Sequence, residues 1–246
     1  MKDIKTQWPW LPYVAPMVLF LVLTSLESSL PGAGESTVSP WYPLFYAFKI
    51  ILVIACLVFF RSTWADLRPM PKAAGTAVAI ALGLLVIVVW VGLDGHYPSL
   101  GDLVKRVAPW MGRDAGSASL GRRIGFDPFG LTPLGAWSFL AVRFLGLVVV
   151  VPLMEELFWR SFLVRWLIDL DFERVPLGKM TGMAAALTSV AFALAHPEWL
   201  PALLTGLAWA GLLAWTKSVS ACLMSHAVAN LALGAYVLIT GEWKYL

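Results

Sequence analysis

The chain has 246 residues, 59% of them hydrophobic and 13% charged, with a formal net charge of +3. Soluble domains carry about 25% charged residues, so a soluble enzyme is excluded, and a chain this apolar is not disordered. The small positive charge is scattered between apolar runs and gives no basis for nucleic-acid binding. What remains is a polytopic membrane protein, and the 13 Trp suit it, because Trp collects where hydrocarbon meets water.

A spanning helix needs about 20 mostly apolar residues. Leu11 to Leu30 is the first such run and follows Lys2 and Lys5. Its small-residue cleavage pattern is poor, so it reads as an uncleaved span ended by Pro31-Gly32-Ala33-Gly34. Trp41 to Phe60 is the second run, stopped at Arg61, and Ala73 to Leu93 is the third, between Lys72 and Asp94. Residues 94–134 form the longest polar stretch, with Lys105, Arg106, Arg113, Arg122 and Arg123. Within it Leu103, Val104, Val107 and Trp110 recur at helical spacing, which predicts an ordered interfacial segment.

A very long apolar stretch follows, Gly135 to about Leu170, containing Arg143, Pro152, Glu155, Glu156, Arg160 and Arg165. After the charged break Asp169 to Lys179 come Met180 to Ala195, Leu200 to Trp215 and Val219 to Ile239. The expected fold class is all-α, a membrane bundle of seven transmembrane helices, or eight if the long stretch splits at Pro152. Counting Lys and Arg does not put all basic loops on one side, and there is no internal repeat. Apolar helices exclude an outer-membrane barrel, and the expected location is a bacterial inner (plasma) membrane. Cys56 and Cys222 lack any ligand spacing and read as small buried hydrophobes.

Ionisable residues inside spans are costly and need partners or a purpose. Glu155 and Glu156 are adjacent, so on a helix they point about 100° apart. Glu156 and Arg160 are four apart and can pair, which leaves Glu155 to face something else; the bland alternative is a helix that has reached the headgroups. His196 closes an apolar run, with Phe192 one turn earlier and Pro197 after it, as either a site residue or an interfacial one. His226 and Asn230 share a helix face and can hold a developing oxyanion or glue helices together. His96 reads as solvated and Glu27 as interfacial, and nothing local names a partner for Arg143. One polar cavity shared by three segments explains the constellations together.

The ordered set Glu155-Glu156-x-x-x-Arg160, Phe192-x-x-x-His196 and His226-x-x-x-Asn230 resembles the CAAX protease and bacteriocin-processing family of intramembrane endopeptidases. The resemblance covers roughly residues 135–240; more loosely, the chain is similar to bacterial CAAX-protease-related proteins of exosortase/PEP-CTERM sorting systems. It implies that Glu155 and His196 activate a water and that His226 and Asn230 stabilise the oxyanion. Glu156 and Arg160 become the supporting ion pair, with Phe192 walling the site. Residues 135–246 then form the protease core, and residues 1–134 an amino-terminal three-helix membrane region within one integrated domain.

The partners implied are the lipid bilayer and a membrane-associated protein or peptide substrate. No cofactor is favoured. Zinc is the candidate if a metal is used, with Glu155, His196 and His226 as its ligands, against which stand the absence of HExxH and the poor ligand quality of Asn230. Intramembrane Glu and His also serve proton-coupled transporters, and a non-catalytic scaffold or immunity protein is the other rival. A site shared by Glu155 and His196 demands one depth, so either Pro152 breaks the long helix or residues 153–170 do not simply leave the membrane.

Overall fold

The computed structural model describes residues 7–27, 41–107, 110 and 125–246. The Pro31-Gly32-Ala33-Gly34 break and Arg113, Arg122 and Arg123 lie outside the described residues. Among those described the chain is helical throughout, with no strand. In chain order the helices are α1 (Leu11–Glu27), α2 (Trp41–Phe59), α3 (Ala73–Gly92), α4 (Leu100–Val107), α5 (Pro133–Trp166), α6 (Gly182–Leu194), α7 (Trp199–Thr216) and α8 (Val219–Thr240). Helix α4 occupies the start of the segment expected to be an ordered amphipathic one.

Five of these, α2, α3, α5, α7 and α8, are long and apolar enough to cross a membrane. Helices α1 and α6 are apolar but shorter, at 17 and 13 residues. Leu44, Ile51, Val58 and Phe59 of α2 and Leu84, Leu85 and Val88 of α3 are exposed. Outward-facing apolar side chains on helices with buried inner faces are what a lipid solvent stabilises.

Local chemistry sets the boundaries. Thr132, Thr181 and Ser218 each cap a helix, accepting from the amide nitrogens of Gly135, Ala184 and Ala221. Lys217 and Gly241 take left-handed backbone geometry, with φ of 56° and 73°, and close α7 and α8.

Helix α5 does not split at Pro152. It runs 34 residues without a break, about 51 Å at 1.5 Å per residue and well beyond a hydrocarbon core of about 30 Å. Its continuity includes two π-helical stretches, Gly146–Val150 and Leu157–Leu163, on either side of Val151–Glu156. The missing amide hydrogen of Pro152 is absorbed where the ladder has already widened, so the helix bends its register instead of stopping.

Small residues let neighbouring helices approach. A Cβ on Gly83 of α3 would lie 2.9 Å from Val228 Cβ of α8, and one on Gly206 of α7 would lie 3.0 Å from Ser189 Cα of α6. Gly234 of α8 seats the Phe144 ring of α5, where a Cβ would lie 2.7 Å from it. A polar knot binds the amino-terminal helices to α5. Asp66, in the 3-10 turn Arg61–Leu67 after α2, accepts from Tyr13 Oη at 2.8 Å, from Arg165 Nη2 at 2.8 Å and from Ser161 Oγ. Ser218 and Ser220 donate to the carbonyls of Pro69 and Leu67, which ties the start of α8 to the same region.

Candidate active site

The central cavity, of about 560 Å³, is lined by Glu155, Phe192, His196, His226 and Asn230. These come from α5, the end of α6, and α8, so the three separate constellations do meet one space. Glu155 and His196 share this cavity although α5 has no break at Pro152. Helix α6 has 13 residues and rises only about 20 Å, so its end, with His196, falls short of a full crossing of about 30 Å.

Glu155 and Glu156 are both buried, at 7% and 0% exposure, yet their surroundings are opposite. Glu156 has two charged or polar neighbours: Oε1 accepts from His226 Nδ1 at 2.9 Å, and Oε2 lies 3.3 Å from Arg160 Nε, an ion pair without a hydrogen bond. Glu155 faces the cavity, and its Oε2 has no hydrogen-bond partner among the described residues. Headgroup exposure of the pair, the bland alternative, does not occur.

The hydrogen bonds assign the imidazole protons. An ionised carboxylate and a carbonyl only accept. His226 Nδ1 therefore donates to Glu156, and His196 Nδ1 donates to the Phe192 carbonyl at 2.7 Å. In each ring Nε2 is the nitrogen left for chemistry. Asn230 Nδ2 donates to the Leu147 carbonyl at 2.8 Å. Leu147 lies in the first π-helical stretch, where the ladder frees carbonyls that an α-helix would occupy. One amide hydrogen of Asn230 is thereby used for positioning, and the other remains.

Aromatic rings confine the charges. The Arg160 guanidinium lies 4.7 Å from the Phe192 centroid and 5.0 Å from that of Trp209. Trp209 also stacks on His226, with centroids 4.5 Å apart, and its indole nitrogen donates to Ser225 Oγ at 2.9 Å. Trp90 of α3 meets His196 edge-on at 5.7 Å. Phe192 thus walls His196 as expected and also covers Arg160.

Trp209, Trp90 and the Leu147 carbonyl escaped the sequence reading.

A second charged group lies on the same cavity wall. Glu27 is buried, at 6% exposure, and ion-paired with Lys49, which is 2% exposed at the middle of α2. Lys49 was legible as a cation inside a span but drew no attention. Arg143 finds a partner in Tyr46, its guanidinium 4.5 Å from the ring centroid. His96 is exposed, as expected, and Nδ1 meets the Asp94 carbonyl at 2.9 Å.

Among the described residues no three His, Cys, Asp or Glu side chains gather as a ligand group, so Glu155, His196 and His226 as they stand do not form a zinc site. Cys56 and Cys222 are both free thiols.

Residues 137–232 match the family described as Rce1-like, Type II CAAX prenyl endopeptidase. No curated protein and no solved structure matches the chain. The matched segment contains Glu155, Glu156, Arg160, Phe192, His196, His226 and Asn230 and leaves α1 to α4 outside it. The part of this integral membrane chain that bears all three motifs is thus similar to the Rce1-like CAAX prenyl endopeptidases.

Proposed function

We propose that the protein is an intramembrane endopeptidase that hydrolyses a peptide bond of a membrane-associated protein or peptide by direct attack of water. The observation that carries this reading is the contrast between adjacent glutamates: Glu156 is ion-paired with Arg160 and hydrogen-bonded by His226, while Glu155 lines the cavity and its buried Oε2 has no hydrogen-bond partner among the described residues.

In the proposed reaction, His196 Nε2 accepts a hydrogen bond from the water and aligns it, since its Nδ1 proton is held by Phe192. Glu155 takes the water proton as the oxygen attacks the scissile carbonyl carbon. The carbonyl oxygen gains the electron pair and is met by His226 Nε2–H and the remaining amide hydrogen of Asn230. With Nδ1 donating to Glu156, donation from Nε2 requires both ring nitrogens to carry a proton. Glu155 then returns its proton to the departing amine nitrogen, giving one carboxyl and one amino product. The proposed reaction uses no metal; among the described residues no three His, Cys, Asp or Glu side chains gather as ligands. The bacterial inner membrane is the proposed location, and the cavity is the proposed seat of the substrate.

The test is cleavage by the full chain reconstituted in liposomes, using a panel of lipid-tethered peptides read by mass spectrometry. Glu155→Gln is expected to lower turnover about 10²- to 10⁴-fold with the fold intact. A proton flux that depends on Glu155, without cleavage of any peptide, would instead identify a transporter. Full cleavage by Glu155→Gln would remove Glu155 from the chemistry.

A further inference from the structure

The matched family segment begins at residue 137, yet part of the cavity wall comes from α1 and α2, which lie before it. There Tyr46 sits between two cations: Lys49 Nζ is 4.8 Å and Arg143 Cζ 4.5 Å from its ring centroid. Glu27, Lys49, Tyr46 and Arg143 all line the same cavity as Glu155. Lys49 is matched by Glu27, and Lys49 Nζ also lies 3.3 Å from Thr24 Oγ1. Arg143 has no carboxylate at ion-pair distance among the described residues; Glu27, whose field reaches it, is engaged with Lys49. This patch therefore holds two cations against one carboxylate, and the other carboxylate side chains on the cavity are Glu155 and Glu198.

An arginine is costly inside a spanning helix and is kept where it meets a polar group or a pathway. Its planar fork suits a carboxylate, and a ring behind it holds the fork in place without neutralising it. Tyr46 is fixed in turn, because its hydroxyl rests against Gly146, where a Cβ would overlap it. Arg143 and Glu155 lie on one helix, twelve residues apart. That is about 18 Å along the axis, the reach of roughly five extended residues, less what the arginine side chain itself spans.

From this geometry we infer that Arg143, held on Tyr46 beside the Glu27–Lys49 pair, is a carboxylate-binding subsite that sets which peptides enter the cavity. The inference rests on the endopeptidase reading. A substrate lying across Glu155 presents its anionic group a few residues from the scissile bond, as a chain-terminal carboxylate or as an acidic side chain. Arg143 here is a specificity residue and takes no part in bond cleavage.

The test uses three N-palmitoylated apolar hexapeptides: one with a free terminal carboxylate, its carboxamide, and the carboxamide with one internal Glu. Binding to the full chain in detergent is measured in a Glu155→Gln background, so that no peptide is consumed. The free-acid peptide is expected to bind at least roughly tenfold more tightly than its carboxamide, as loss of a charge-assisted bond implies. Adding Arg143→Gln should erase that difference while leaving carboxamide binding unchanged, and Arg143→Lys should restore part of it.

Tight binding of the internal-Glu peptide identifies a side chain as the carboxylate source; weak binding identifies the terminus. Equal binding of all three peptides, or equal weakening of all three by Arg143→Gln, overturns the subsite. Cleavage is scored separately in the wild-type chain. Absence of cleavage with discrimination intact overturns only the peptidase reading, and cleavage without discrimination overturns only the subsite.

Discussion

The buried Glu156–Arg160 pair gives the sharpest test of the site's electrostatics. Glu156→Gln keeps the shape and leaves an acceptor facing His226 Nδ1, so it removes little besides charge. Arg160 is 2% exposed, and its two terminal nitrogens have no hydrogen-bond partner among the described residues. Without Glu156 its charge is uncompensated between Phe192 and Trp209. Breaking a buried pair from one side costs about 3–5 kcal/mol, a large part of a net stability of about 5–15 kcal/mol. Arg160→Met strands Glu156 and should cost a similar amount. The double variant leaves neither charge behind and should recover to within about 1 kcal/mol of wild type. Reversible SDS unfolding in mixed micelles, followed by circular dichroism, reads all four corners of this cycle. Turnover should not recover with stability, because His226 Nδ1 no longer meets the carboxylate that orients the ring, and one oxyanion donor is worth about 2.7–4 kcal/mol. Single variants as stable as wild type, or a double variant as unstable as the two losses added, would refute the reasoning.

Four further outcomes are expected. Glu155→Ala should unfold no more easily than wild type, since its Oε2 has no partner to lose, and a drop above about 2 kcal/mol in the same SDS titration would show a structural role. Gly83→Val should drive α3 from α8 beside Ser225, costing about 1–3 kcal/mol by overpacking and lowering activity through His226; unchanged melting would mean that the contact is not rigid. Chelators should leave cleavage intact, whereas loss restored by zinc would mean that the ligands gather on substrate binding. Asp94 accepts from Lys244 Nζ and Tyr245 Oη, both at 2.7 Å, and the Lys244 contact holds its carboxyl below the usual range. A depressed carboxyl stabilises above its unfolded value of about 3.9 and loses that contribution as pH falls through the folded value. The Trp243–Tyr245 turn should therefore stay docked near neutral pH and detach only in acid, which ¹⁹F NMR of a fluorotryptophan at Trp243 can follow, with Asp94→Asn as the detached reference.

Much of the architecture was legible because hydrophobic runs, caps and glycines act locally. The expected Trp41–Phe60, Ala73–Leu93 and Val219–Ile239 runs differ from α2, α3 and α8 by a residue at one end. The meeting of Glu155, His196, His226 and Asn230 was legible for another reason: polar groups stranded in apolar runs have few ways to be satisfied except by one another or by a shared cavity. What escaped depends on contacts far apart in sequence. Lys49 and Glu27 look like isolated anomalies until α1 and α2 lie side by side. The Asp66 knot joins the turn after α2 to Tyr13 of α1 and to Ser161 and Arg165 of α5, and none of these three segments names the others. The two π-helical stretches have no periodic signature, because a single widened turn leaves the apolar pattern almost unchanged.

Those stretches bear directly on how two adjacent glutamates come to differ. On a regular helix Glu155 and Glu156 diverge by about 100°, which separates their directions but does not give either one a partner. Glu156 is fixed from below by Arg160, inside the second π-helical stretch, and from α8 by His226. The first stretch offers the Leu147 carbonyl to Asn230, one turn along α8 from His226. Two neighbouring positions of α8 are thus pinned to α5 on either side of Glu155, through the side chain of Glu156 and the backbone at Leu147. Glu155 lies between these two anchors and is held by neither, so its carboxylate stays available to the cavity while its surroundings are rigid. A group poised to take a proton from water needs both properties, and here the first comes from what Glu155 lacks and the second from what Glu156 and Asn230 hold.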